Sequence, residues 1–155
     1  NKLRTGKITI RKVDTKDEPL AGATFLLEGS VDGNLWYPVL PGSNGICILG
    51  ERSEENLTAA SKTSGEDGLL TWENLPITLQ YRITETKAPE GYTLLKEAAF
   101  AGTLPTDTLE LRVVNGEAFA LPKTGATSLT VLPFAVICCF SICAGAILYL
   151  RKREI

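Results

Sequence analysis

The stretch KITIRKVDTKDEPLAGATFLLEG, residues 7–29, decides the fold class. Its beginning alternates between apolar and polar side chains, and Lys12 ends the row of apolar residues on one face. After the turn signal PLAG, one face of ATFLLEG is again apolar: Ala23, Phe25 and Leu27. Alternation with a period of two on both sides of a Pro/Gly turn is typical of half-buried β-strands. The stretch therefore predicts two strands joined by a short connection.

Further strands are predicted by LLTW at 69–72, LQYRITE at 79–85 and TLELRVVN at 108–115. Segment 29–66 is rich in Gly, Ser, Asn and Pro, so we expect only one or two strands and long loops there. The pattern predicts an all-β domain over residues 7–117, with an immunoglobulin-like antiparallel sandwich of about seven strands as its architecture.

In three of the predicted strands, the row of core-facing side chains ends in a polar residue. The rows are Ile8, Ile10 and Lys12; Leu79, Tyr81, Ile83 and Glu85; and Leu109, Leu111, Val113 and Asn115. Burying a polar group without a partner is costly, and burying an unpaired charge costs more. We therefore expect Lys12, Glu85 and Asn115 to be buried together.

Composition excludes several classes of function. The chain has no histidine, which removes Ser-His and Cys-His nucleophile pairs and the common zinc sites that contain histidine. It has no Gly-rich phosphate loop of P-loop or Rossmann spacing. Without Arg151, Lys152, Arg153 and Glu154, 13 basic and 17 acidic residues remain, a net charge of −4 that disfavours nucleic-acid binding. We expect no enzyme activity, cofactor, metal site or nucleic-acid partner.

The four cysteines do not form a disulfide framework. Three of them lie in an apolar stretch: Cys138, Cys139 and Cys143. We interpret them as small hydrophobic residues or as lipidation sites. Cys47 stands alone in the rest of the chain, and we interpret it as buried filler, with a pairing or reactive thiol as the alternative. The chain also lacks methionine and an N-terminal signal peptide, so we expect a fragment or a processed piece of a longer protein.

The C-terminal part contains a short motif, an apolar span and a basic tail. The motif LPKTG at 121–125 lies in a linker predicted at 118–128, and residues 129–150 follow as 22 residues without a charge. As a helix this span would be about 33 Å long, enough to cross the hydrocarbon core of a membrane. The basic residues of the tail at 151–155 mark the cytoplasmic side, which places the N-terminal part outside the cell.

This arrangement resembles the cell-wall sorting signal of Gram-positive surface proteins, in which Leu-Pro-x-Thr-Gly is the sortase recognition motif. The match is at Leu121, Pro122, Thr124 and Gly125, and Lys123 occupies the variable position. The resemblance implies that sortase cleaves between Thr124 and Gly125 and joins Thr124 to an amine of peptidoglycan or of another pilin. It also implies a membrane-held precursor, retained by Arg151, Lys152 and Arg153, and a mature protein anchored at the cell surface.

RKVDTKDEPLAGATFLLEG and ITETKAPEGY resemble the first strands and the E-box of Cna B-type (collagen-adhesin B) domains, which have a prealbumin-like fold. In that family a first-strand lysine and a last-strand Asn or Asp form an intramolecular isopeptide bond, assisted by the E-box glutamate. The resemblance assigns these roles to Lys12, Asn115 and Glu85. Burial favours a neutral amine and a protonated acid, so Lys12 could attack the Asn115 carbonyl while Glu85 polarises it and shuttles protons. The alternative is a hydrogen-bonded cluster without a bond.

Two functions follow from this interpretation. The first is a structural stalk or pilin-type domain that holds a distal part away from the cell. The alternative is a ligand-binding adhesin module that contacts a host or a neighbouring cell through the 29–66 loops, with Trp36 and Tyr37 as contact residues. WYPVLP has Val39 where a pilin motif would carry a lysine, so we expect anchoring or a terminal place in a pilus. Residues 1–6 are interpreted as a linker or the end of a preceding module.

Overall fold

A computed structural model describes residues 3–105 and 107–119, which form nine strands and one short helix. The strands are β1 (Thr5–Val13), β2 (Thr24–Ser30), β3 (Tyr37–Pro41), β4 (Cys47–Leu49), β5 (Ser61–Thr63), β6 (Leu69–Pro76), β7 (Gln80–Lys87), β8 (Phe100–Thr103) and β9 (Thr108–Val114). The helix is α1 (Glu54–Ala59). The all-β prediction is confirmed.

The strands form two sheets. The smaller sheet has the order β6-β1-β9, and the larger has the order β4-β3-β2-β7-β8 with β5 paired to β2. All pairings between these strands are antiparallel except one: β1 and β9 run parallel, with Lys12 opposite Val113 and Val13 opposite Val114. The first and last strands of the domain are therefore hydrogen-bonded neighbours that run in the same direction.

The core lies between the two sheets, as the alternation predicts. The inward residues of β1 and β2 are completely buried: Ile8, Ile10, Phe25 and Leu27. β7 contributes Tyr81 and Ile83 to the same core, and β6 contributes Leu70, Trp72 and Leu75. Burial of these side chains removes apolar surface from water, which is the main term that stabilises the sandwich.

Segment 29–66 contains more regular structure than the sequence predicts: β3, β4, β5 and α1 all lie in it. Ser53 caps the helix, because its side-chain oxygen accepts a hydrogen bond from the Asn56 N–H at 3.1 Å. Cys47 in β4 is half-buried rather than buried; it packs against the core, and its thiol donates to the Glu73 carbonyl at 3.3 Å.

The C-terminal expectations lie outside the described residues. These include the motif at 121–125, the span at 129–150 with its three cysteines, and the tail at 151–155. Within residues 3–105 and 107–119, the only helix is far too short and too polar to be a membrane span. At the other end, β1 begins at Thr5, two residues before the predicted start of the domain.

Candidate functional site

Lys12, Glu85 and Asn115 are brought together at one end of the sandwich. Their side chains are 0%, 2% and 1% exposed. The parallel register of β1 and β9 carries Asn115 just past the end of the ladder, where its N–H donates to the Val13 carbonyl at 3.1 Å. Glu85 faces them from β7 in the opposite sheet. The packing of the two sheets therefore encloses all three polar groups in one buried cluster.

Glu85 and Asn115 are hydrogen-bonded to each other. The Asn115 amide nitrogen, Nδ2, donates to Glu85 Oε1 at 2.9 Å and to Oε2 at 3.0 Å. The amide oxygen, Oδ1, is buried and has no donor among the described residues. A buried amide oxygen without a hydrogen-bond donor lowers the stability of the folded chain.

Among the described residues, no carboxylate forms an ion pair or hydrogen bond with Lys12, although this residue is completely buried. Its ammonium nitrogen, Nζ, donates to the Val113 carbonyl at 3.1 Å and to the Val13 carbonyl at 3.3 Å. Burial lowers the pKa of Lys12, and the charge of Glu85 opposes that effect. A lowered pKa increases the population of the neutral amine, which is the nucleophilic form.

The cluster thus combines an amine, an amide and a carboxyl group away from water. The carboxyl group of Glu85 lies against the amide nitrogen of Asn115. That nitrogen is the group that would leave as ammonia if the Lys12 amine attacked the amide carbon. Glu85 is therefore in position to protonate the leaving group, a task suited to a general acid.

A backbone contact from outside the three strands completes the cluster. The Leu95 N–H donates to Glu85 Oε2 at 2.9 Å. Leu95 lies in the connection between β7 and β8, which turns at Gly91 with φ of 82°. Sequence reasoning did not include Leu95 in the site, because a backbone N–H has no side-chain signature. The only signal was the turn-forming APEG sequence before it.

Trp36 and Tyr37, the aromatic pair proposed to contact a ligand, have different environments in the fold. Trp36 is half-buried under Arg82, whose guanidinium lies 4.7 Å from the ring centroid. Arg82 is itself held by Glu28, which is buried and accepts from Nη2 at 2.6 Å. Tyr37 begins β3 rather than lying in a loop and is 37% exposed. Trp36 therefore has a packing role in this cation–π and ion-pair cluster.

Solved structures similar to this chain include several pilins. The group B streptococcus pilus 2b backbone protein is 28% identical, with a TM-score of 0.61 over 77% of this chain and 43% of that protein. A streptococcal ancillary pilin is 28% identical, with a TM-score of 0.54 over 76% of this chain and 30% of that one. BcpA, the major pilin subunit of Bacillus cereus, is 26% identical, with a TM-score of 0.51 over 74% of this chain and 31% of that one.

This chain spans less than half the length of each of these pilins. No curated protein matches it at a significant level. The sequence of the SpaA prealbumin-like fold domain matches residues 6–117, which include all nine strands except the first residue of β1. The chain therefore belongs to the SpaA family of prealbumin-like domains.

Proposed function

We propose that this chain is a load-bearing, pilin-type structural module of a Gram-positive cell-surface protein, closed by an amide bond between Lys12 and Asn115. Membership of the SpaA family and similarity to pilins support the structural role. The observation that carries the proposal is the burial of Lys12, Glu85 and Asn115 in one cluster, where the end of β1 and the residue after β9 face β7 of the other sheet.

The bond forms by transamidation, in which the Lys12 amine replaces the side-chain amide nitrogen of Asn115. The neutral Lys12 Nζ attacks the Asn115 side-chain carbon, a new N–C bond forms, and the C–Nδ2 bond breaks. Glu85 relays a proton from the attacking nitrogen to Nδ2, so ammonia leaves and Glu85 ends unchanged. The reaction requires no oxidant or cofactor and turns over once. The contact of Glu85 with Nδ2 at 2.9 Å supports this assignment.

The topology explains why a bond at this position resists force. The domain begins with β1 and ends with β9. Because these strands are parallel, the start of β1 and the end of β9 lie at opposite ends of the strand pair. Tension would shear β1 against β9. With the bond in place, tension passes along β1 to Lys12 and crosses directly to Asn115. Residues 13–114 are then outside the path of the force.

We expect this difference to be visible in a single-molecule pulling experiment on the chain held at its two ends. Without the bond, unfolding would release residues 13–114, about 350 Å of extended chain at roughly 3.4 Å per residue. With the bond, the wild-type chain should show no such extension. Lys12→Met, which keeps the apolar stem and removes the amine, should show the full release. Release of the full length in a wild-type chain would contradict the load-bearing role.

The proposal includes anchoring at the wall. The sequence at 121–125 supports recognition by sortase, which would join Thr124 to an amine of peptidoglycan or of another pilin. The apolar span at 129–150 and the basic residues 151–153 support retention of the precursor in the membrane until that reaction. Only a few residues separate Asn115 from Thr124, so the covalent path from Lys12 would continue almost directly into the wall.

A further inference from the structure

The connection after β7 returns to the end of β9 and pairs with it. We define the clamp segment as Gly91–Leu95 and the exit segment as Gly116–Ala118. The Thr93 N–H donates to the Gly116 carbonyl at 2.9 Å, and the Ala118 N–H donates to the Gly91 carbonyl at 2.9 Å. Tyr92 and Glu117 form an antiparallel bridge between these two hydrogen bonds. The exit segment is thus held by a short ladder immediately after Asn115.

The same clamp segment also holds the acid. Two residues beyond Thr93, the Leu95 N–H donates to Glu85 Oε2 at 2.9 Å. Leu95 also packs against the hydrophobic core, which fixes the end of the clamp segment to the sandwich. One short segment therefore contacts Glu85 on one side and the backbone that follows Asn115 on the other.

We propose that the clamp segment is a positioning element for the Lys12–Asn115 reaction, so that the bond forms efficiently only after the exit segment has docked on it. This inference rests on the proposed amide bond. Its chemistry is unchanged: Nζ bonds to the Asn115 side-chain carbon, the bond to Nδ2 breaks, and Glu85 passes a proton from Nζ to Nδ2, which leaves as ammonia. Among the described residues, the clamp segment is hydrogen-bonded to Glu85 but not to Lys12 Nζ or to the Asn115 amide, so it acts through the relative placement of Glu85 and Asn115.

The physical reason is the sensitivity of proton and acyl transfer to alignment. A misplacement of about 1 Å can cost on the order of a hundredfold in rate. Asn115 lies beyond the last residue of β9, so the β1–β9 ladder holds it from one side only, through its N–H to Val13. The docked exit segment supplies the restraint on the other side. Without it, the amide would rotate away from the Glu85 carboxyl group for part of the time.

The test compares variants that remove one ladder hydrogen bond with variants that keep it. Thr93→Pro and Ala118→Pro each delete one donor at an exposed side chain. Proline also favours an extended conformation in the preceding residue, which suits the bridged pair Tyr92 and Glu117. Thr93→Ala keeps the N–H and serves as the matched control. Phe119→Pro places a proline just beyond the ladder, at a fully exposed residue.

The full chain would be synthesised in a cell-free system with detergent, and samples would be digested with trypsin over time. The readout is the fraction of peptide 113–123 that is covalently joined to peptide 12–16, measured by mass spectrometry after the protein is denatured; trypsin cleaves after Lys12 unless the amide bond blocks it. Protease resistance of the remaining protein reports folding. We expect each ladder variant to fold and to join the peptides about tenfold more slowly, the order of one lost hydrogen bond. Thr93→Ala and Phe119→Pro should match wild type.

The outcomes separate the two proposals. If Thr93→Pro and Ala118→Pro fold and join the peptides at the wild-type rate, the positioning role is overturned while the amide bond stands. If one of these two variants does not fold, the joining rate of the other is compared with that of wild type in the same way. If folded wild type never joins the peptides, the amide bond itself is absent and the positioning role falls with it. A purely structural role predicts lower stability of the ladder variants with an unchanged rate.

Discussion

Replacing Glu85 by glutamine is expected to prevent the Lys12–Asn115 bond and to lower the melting temperature by about 20 °C. Glutamine has nearly the same size and can still hydrogen-bond to Asn115, but it cannot transfer the proton that ammonia needs in order to leave. The bond closes a loop of roughly 100 residues, which by analogy with a disulfide stabilises by about 4.7 kcal/mol. In a domain of this size, each kcal/mol shifts the melting temperature by several degrees. Thermal unfolding followed by circular dichroism measures the shift.

Two controls distinguish the bond from the cluster around it. Glu97→Gln makes the same change of charge at an exposed residue and should leave the melting temperature unchanged. Lys12→Met removes the amine while keeping the apolar stem, and should lower the melting temperature to a similar extent as Glu85→Gln. A decrease of only a few degrees in both cluster variants would contradict a covalent contribution of this size.

Replacing Thr124 by alanine is expected to abolish wall anchoring. Alanine keeps the backbone carbonyl but lacks the threonine side chain that the recognised motif requires, so the precursor should stay in the membrane fraction of the producing cell. Fractionation after treatment with wall-degrading enzymes measures the distribution. Lys123→Ala, at the variable position of the motif, is the matched control and should remain anchored. Release of Thr124→Ala only by wall-degrading enzymes would contradict anchoring through this residue.

The buried cluster could be predicted from sequence because strand parity is strict. One face of a strand holds every second residue, so the apolar rows that end in Lys12, Glu85 and Asn115 had to point into the same core. The fold class followed from the same alternation. These are local patterns, and the residues that carry them are consecutive in the chain.

Other features could not be read from such patterns. Strands β4 and β5 have three residues each, too few for an apolar-polar alternation to be distinguished from the residue pattern of a loop. The parallel pairing of β1 with β9 is a relation between distant segments and has no signature within either strand. The clamp segment was missed because its contacts are made by backbone N–H groups, which every residue except proline carries.

The atoms through which Glu85 and Asn115 meet could not be predicted from the sequence. Residue types indicated that a carboxyl group and an amide would meet, but the side-chain torsion that turns Nδ2 rather than Oδ1 toward Glu85 depends on the surrounding contacts. Around this pair, the Leu95 N–H donates to Glu85 Oε2 and the Asn115 N–H donates to the Val13 carbonyl. Details at this level require the assembled fold.

The intact mass of the full chain tests the central claim most directly. Formation of the Lys12–Asn115 amide releases one ammonia, so the folded wild-type chain should weigh less than its sequence mass by that amount. Glu85→Gln should have the full mass of its own sequence. Both the bond and a buried hydrogen-bonded cluster predict that the variant is less stable, so stability alone does not separate them. An unmodified mass for well-folded wild type would contradict the bond and leave only the cluster.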